Sequence, residues 1–170
     1  MLKQHLPHLF DEDPNLRARA DALAARTFEL VSFLTDVLGV EQPRARYSGG
    51  PVTYHDSCSG LRELGIKQQP RQLLRAMGVE IVEMADPEIC CGFGGTFCVK
   101  YPEISVRMAS DKVRDSFATG AQTVLAGDLG CLLNLAGRLT REAHDIKVRH
   151  VAEVLAGMTG AVPPIGQGSS

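Results

Sequence analysis

The sequence lacks several things that would have placed it quickly. No apolar run approaches the ~20 residues that cross a bilayer; a stretch such as "VSFLTDVLGV" (31–40) is broken by charge. The opening "MLKQHLPHLF" has no signal-type apolar core, so direct membrane insertion is not expected and the cytoplasm is the expected compartment. Charge of one sign is missing too. The net charge is -2 with both signs mixed, which leaves no electrostatic footprint for nucleic acid or an anionic surface. There is no G-x-x-x-x-G-K-[ST], no G-x-G-x-x-G and no internal repeat, which removes the common phosphate-cradling loops and the solenoids. Nor is there an even set of cysteines for a disulfide framework: five are present, three of them within nine residues, a pattern that suits metal or redox chemistry better than bridging.

What is present reads as a globular chain. At 170 residues, 44% apolar and 22% charged, it has the length and composition of an ordinary domain with its own core. Asp13-Pro14 is a helix start, a capping carboxylate followed by proline. Leu16, Ala20, Leu23, Ala24, Leu30, Val31, Leu34 and Leu38 then recur at helical spacing up to Gly39, predicting one long N-terminal helix. "EQPRARYSGGP" (41–51) reads as a linker. Beyond it "VTYHDS", "VEIVEMA", "TVLAGD" and the start of "KVRHVAEVLAG" read as strands. They alternate with helical segments "QPRQLLRAMG", "PEISVRMASDKVRDSFATG" and "CLLNLAGRLTREAH". That alternation predicts an α/β fold with a largely parallel sheet flanked by helices. The expected division is a helical segment and linker over 1–50, a cysteine-rich α/β domain over 51–160, and a disordered tail or cloning remnant over 161–170.

In open parallel sheets, ligands collect where strands end. Cys58 follows "VTYHDS", Cys90 and Cys91 lie in the loop after "VEIVEMA", and Cys131 follows "TVLAGD", so three strand ends deliver four thiols to one rim. Thiolates grouped in this way select zinc or the iron of iron-sulfur clusters. Structural zinc favours C-x(2–4)-C knuckles, which the chain lacks. Vicinal Cys90 and Cys91 point apart, which fits ligation of two different irons better than two corners of one zinc site. Gly92, Gly94 and Gly95 in "GFGG" permit close approach of backbone amides to a cluster, or make a tight turn and nothing more. Cys98 is either a fifth metal ligand or a small buried hydrophobe. His55 and Asp56 are second-shell groups, structural hydrogen bonders, or partners of Cys58 in a thiol-based catalytic pair. His150, where a strand meets a helix, reads as a core or capping histidine. A zinc-holding structural or partner-binding module remains the alternative to an iron-sulfur protein, and a thiol enzyme the third reading.

Three segments, "VTYHDSCSGLRELGIKQQPRQLL", "EICCGFGGTFCVKYPEIS" and "HVAEVLAG", resemble the CCG (cysteine-rich) domain family of iron-sulfur oxidoreductase subunits, most of all its lactate-utilization branch. Thirty-one residues separate Cys58 from Cys90, and the vicinal pair runs directly into glycine. The resemblance implies an iron-sulfur cluster of the 4Fe-4S class, noncubane in some members. It implies electron transfer within a cytoplasmic complex oxidising lactate or a related 2-hydroxy acid, whose other subunits would be the partners. Carried over by position, Cys58, Cys90, Cys91 and Cys131 become ligands. The family pattern ends in C-x-x-C, whereas Cys131-Leu132-Leu133-Asn134 ends in an amide, so Cys98 is the thiol available to compensate. Family members usually carry two such motifs in tandem. Only the second is recognisable here, which leads to the expectation of a fragment or an alternative start, with an exposed apolar face that dimerises or meets a missing partner.

Overall fold

Asp13 caps the first helix as its sequence suggests. Its Oδ1 accepts from the amides of Asn15 and Leu16, both at 3.0 Å, and helix α1 runs Pro14–Ala25. The long helix expected through Gly39 does not continue. The Thr27 hydroxyl donates to the carbonyl of Leu23 at 2.8 Å, competing with the backbone for that acceptor. Two residues on, Glu29 is extended and its carboxylate accepts from Val31 N at 2.7 Å and Ser32 N at 3.1 Å. A cap inside an apolar repeat starts a second helix, α2 (Leu30–Ser32), which passes into π-helical turns over Phe33–Val37. The apolar positions keep helical spacing across the break, so periodicity alone cannot show it.

The structure, a computed structural model, describes residues 1–167. It divides into two compact units, Met1–Gly39 and the chain from Val40 onward. The second unit is α/β. Strands β1 (Val52–Tyr54), β2 (Thr123–Ala126) and β3 (Lys147–His150) are parallel and lie in that order, with Val52 opposite Thr123 and Val124 opposite Val148. Helices α3 (Gln68–Ala76), α4 (Phe97–Lys100), α5 (Pro102–Ala118), α6 (Leu129–Arg141) and α7 (Val151–Leu155) connect and flank them. Every residue of β1 and β2 is buried, as a parallel sheet covered on both faces requires. Val124, Ala126 and Val148 pack with Leu132, Leu135 and Leu139 of α6 and Val113 of α5 in one core that also contains Cys91 and Cys131.

Two expected elements differ. "VEIVEMA" supplies a single parallel bridge, Ile81 to Val52, with Val52 N donating to Glu80 O and Val82 N to Val52 O. Past Val82 side chains take over the backbone: the Ala85 and Asp86 amides donate to the Asp115 carboxylate at 2.9 and 3.1 Å, ending the ladder. The tail is also more ordered than expected, since Ile165 packs on the core and its amide donates to Val148 O at 2.9 Å; positions 168–170 lie outside the described residues. No helix among the described residues is long and apolar enough to cross a membrane.

Candidate metal centre

The end of β1 is anchored before it delivers any chemistry. The His55 amide extends the ladder to Leu125 O at 2.8 Å, and Asp56 N donates to Pro87 O at 3.1 Å. Asp56 and Arg71 are both buried. Arg71, on α3, donates Nη1 and Nη2 to the two Asp56 oxygens at 2.8 and 3.0 Å. It also gives Nε and Nη2 to Glu83 at 2.7 and 2.9 Å, and Nη1 to Lys67 O at 2.7 Å. All five guanidinium N–H groups therefore have an acceptor, the condition under which a buried ion pair is tolerated. This lattice fixes the loop from His55 to Cys58 against the segment that leads to Cys90.

The vicinal cysteines sit on a turn that only glycine completes. Gly92 has φ 83°, and a Cβ there would stand 2.6 Å from the carbonyl of Ser105; the Ser105 hydroxyl donates to Gly92 O at 2.8 Å. Gly94 and Gly95 continue the turn into α4. The Gly92 amide points at the sulfur of Cys90, 3.4 Å away, and the Phe93 amide faces the sulfur of Cys91 closely enough to lower its pKa. The ring of Phe93 lies where a side chain at Gly130 would be, with a Cβ there only 2.3 Å from it, so the loop seats directly on the start of α6. Asn134 adds a second tie, donating Nδ2 to Cys91 O at 2.9 Å. Lys112, 1% exposed on α5, donates to Asp86 O and stands 3.8 Å from Asp115; burial pushes its pKa down.

Cys131 lies in the first turn of α6, where Asp128 is the N-cap and accepts from the Cys131 amide at 3.0 Å. The other Asp128 oxygen accepts from the Ser59 hydroxyl at 3.4 Å, tying this helix start to the Cys58 loop. Cys91 and Cys131 are buried beside one another. The Cys131 thiol donates to Cys91, which together with His55 and the Phe93 amide holds Cys91 down to about 5 against the cost of burial; the Cys91 thiolate in turn pushes Cys131 far up. Cys58 is exposed and Cys90 half-buried. Burial, opposed by the Gly92 amide, raises Cys90, and the neighbouring Cys91 and Cys58 sulfurs raise it further.

Four thiols from three loops thus meet. Their inner side also contains a group that the sequence reading left outside the ligand set: one ring nitrogen of His55 and the sulfurs of Cys91 and Cys131 lie within 4.8 Å of one another. His55 is 0% exposed and neither ring nitrogen has a hydrogen-bond partner. Its place beside Cys58 was the only signal in the sequence. The Cys98 thiol donates to Gly95 O at 3.0 Å as α4 begins.

A parallel α/β unit with a thiol cluster at its strand ends is the architecture of a cysteine-rich metal-binding domain, and comparison with known proteins gives the family. Residues 52–136 match the CCG model, described as a cysteine-rich domain, and the chain belongs to that family. It is similar to lactate utilization protein A of Exiguobacterium sp., 46% identical over 156 residues, 91% of this chain and 63% of that protein. The Bacillus subtilis protein of the same name is 43% identical over 150 residues, 88% and 63% respectively, and that of Lysinibacillus sphaericus 43% over 156 residues, 91% and 68%. The chain spans about 63% of the length of the first of these curated relatives. The donor set fits an inorganic centre of the kind this family implies: soft sulfur donors, two backbone amides aimed at them, and a buried imidazole with no other partner.

Proposed function

We propose that this chain is an iron-sulfur electron-transfer subunit, or a portion of one, of a cytoplasmic complex oxidising lactate or a related 2-hydroxy acid. Cys58, Cys90, Cys91 and Cys131 hold a cluster of the 4Fe-4S class, with cubane and noncubane forms both open to this donor set, and Gly92, Gly94 and Gly95 shape the amide-lined turn beside it. The observation that carries the reading is the convergence of these thiols with the amides of Gly92 and Phe93 directed at the vicinal sulfurs. Such hydrogen bonds stabilise negative charge on sulfur and tune reduction potential. When bound, the cluster supplies one-electron transfer. The chain's residues do the rest: Arg71, Asp128, Ser105 and Asn134 hold the loops at fixed separation, and Lys112 places a buried cation behind Cys91. The relatives' names support a place in lactate utilization; the partners proposed are the other subunits of such a complex, or a second copy of this chain.

Anaerobic reconstitution with iron and sulfide tests this. The expected result is a brown protein with iron and sulfide in near-equal amounts, lost in Cys131→Ser and retained in Cys98→Ser. Colourless wild-type protein without bound iron overturns the proposal. A zinc-holding module is the second reading, favoured by the buried His55, Cys91 and Cys131 set, whose donors are the types zinc uses. One zinc per chain, stable in air and refusing exchange for iron, decides for it.

A further inference from the structure

The set of thiols accounts for every feature of the rim except His55. Its imidazole is fully buried at the end of β1, and neither ring nitrogen has a hydrogen-bond partner of ordinary geometry; the ring lies beside the sulfur of Cys91, whose pKa it lowers. Leaving a buried polar atom unpaired is costly, and native structures seldom accept that without a ligand or a functional reason. The backbone excludes a misplaced loop as the cause, because the His55 amide is in register with Leu125 O at 2.8 Å, and the adjacent Asp56 is locked in two hydrogen bonds to Arg71. The ring is therefore held where it is by the best-fixed part of the site. What it faces is the sulfur pair of Cys91 and Cys131, all three donor atoms lying within 4.8 Å.

We infer that His55 is itself a ligand: one ring nitrogen binds a metal of the centre, so that the inner side of the site is a mixed nitrogen and sulfur set of His55, Cys91 and Cys131, and the outer side is Cys58 and Cys90. This rests on the iron-sulfur reading above and goes beyond its four cysteines. It also answers what replaces the missing last thiol of the C-x-x-C pattern. Asn134 offers only an amide oxygen, a hard donor poorly matched to a thiol-bound centre, and its Nδ2 ties it to the Cys91 carbonyl; Cys98 is engaged with Gly95 O; His55 has a ring nitrogen beside the Cys91 and Cys131 sulfurs. Imidazole is a weaker charge donor than thiolate and carries no negative charge, so its substitution for a thiolate raises the potential of a cluster, as it does in Rieske centres.

The experiment uses the whole chain reconstituted with ⁵⁷Fe and labelled with ¹⁵N-histidine. The expected result is a directly bound nitrogen coupling in the pulsed EPR of the reduced centre, and in Mössbauer spectra one iron that differs from its all-sulfur neighbours. His55→Cys is expected to keep the iron content, lose the nitrogen coupling, convert that iron to a sulfur-ligated signal and lower the midpoint potential. His55→Leu is expected to lose at least one iron per chain. If the wild-type chain binds no iron and sulfide, the cluster reading fails and takes the inference with it. If it binds them but its Mössbauer spectrum and potential equal those of His55→Cys, the cluster reading stands and the ligand assignment alone is overturned.

Discussion

Two histidines stand at the carboxyl ends of two parallel strands in this protein, and they have opposite fates. His150, at the end of β3, uses both ring nitrogens: Nδ1 accepts from the Ala152 amide at 3.1 Å, Nε2 donates to Gly127 O at 3.1 Å, and its backbone amide completes a capping box with Glu153 at 3.0 Å. His55, at the end of β1, uses neither. Topology is the same and solvent is excluded from the second more completely than from the first. The difference teaches that a strand-end histidine becomes a helix cap when a helix begins immediately after it, and is left available for another ligand when a fixed loop follows. Here α7 starts at Val151, whereas the residue after His55 is an aspartate committed to Arg71.

The comparison can be broken or sharpened by experiment. The largest effect is expected at the anchor of the β1 end. Arg71→Met strips the buried Asp56 carboxylate of its partner, and removal of one member of a buried pair costs about 3–5 kcal/mol, to be read as a fall in the urea midpoint; a loss under 1 kcal/mol would show that the loop does not depend on it. Next is His150→Ala, which removes a cap worth roughly 0.5–2 kcal/mol while leaving iron uptake intact. An unchanged melting temperature in that variant would erase the contrast between the two sites.

A smaller effect concerns acid. The hydrogen bond from Arg71 holds Glu83 below its ordinary value of 4.5. A carboxylate whose folded pKa is depressed stabilises the fold fully above its unfolded value, and this contribution disappears as pH falls through the folded one. The acid limb of stability below about pH 4.5 is therefore expected to be shallower in Glu83→Gln than in wild type, modestly so because Glu83 is partly exposed. The smallest effect is expected at the contrasting histidine: in the metal-free chain His55→Leu breaks no hydrogen bond and should leave the urea midpoint unchanged or slightly raised. A substantial loss there would mean that the ring has a structural partner after all.

Much of this architecture could be read directly from residue order. Alternation of apolar strands with helical periods gave the parallel sheet, and the strand-end rule brought Cys58, the vicinal pair and Cys131 to one rim. The capping carboxylate before Pro14 and the capping role of His150 were equally visible, because each is decided by neighbours within three residues. Legibility failed where the deciding contact is distant or competes locally. The break at Thr27 follows from one hydroxyl and one carboxylate that take backbone partners inside an unbroken apolar repeat. The strand over 79–85 was lost to a carboxylate thirty residues away, Asp115. Burial of His55 against two sulfurs, the saturation of Arg71 and the tie from Asn134 to Cys91 all join residues far apart in sequence, and no local pattern announces such pairings.

The vicinal cysteines straddle a boundary between wet and dry, and this has a consequence for wear. Cys91 is sealed in the core, Cys90 is half-buried, and Cys58 beside it faces water. Under the iron-sulfur reading, an arriving iron would meet Cys58 first, and so would an oxidant. Corrosion of a filled site would thus begin at that outermost sulfur and work inward, leaving the sealed sulfurs and the imidazole as the last grip on the metal.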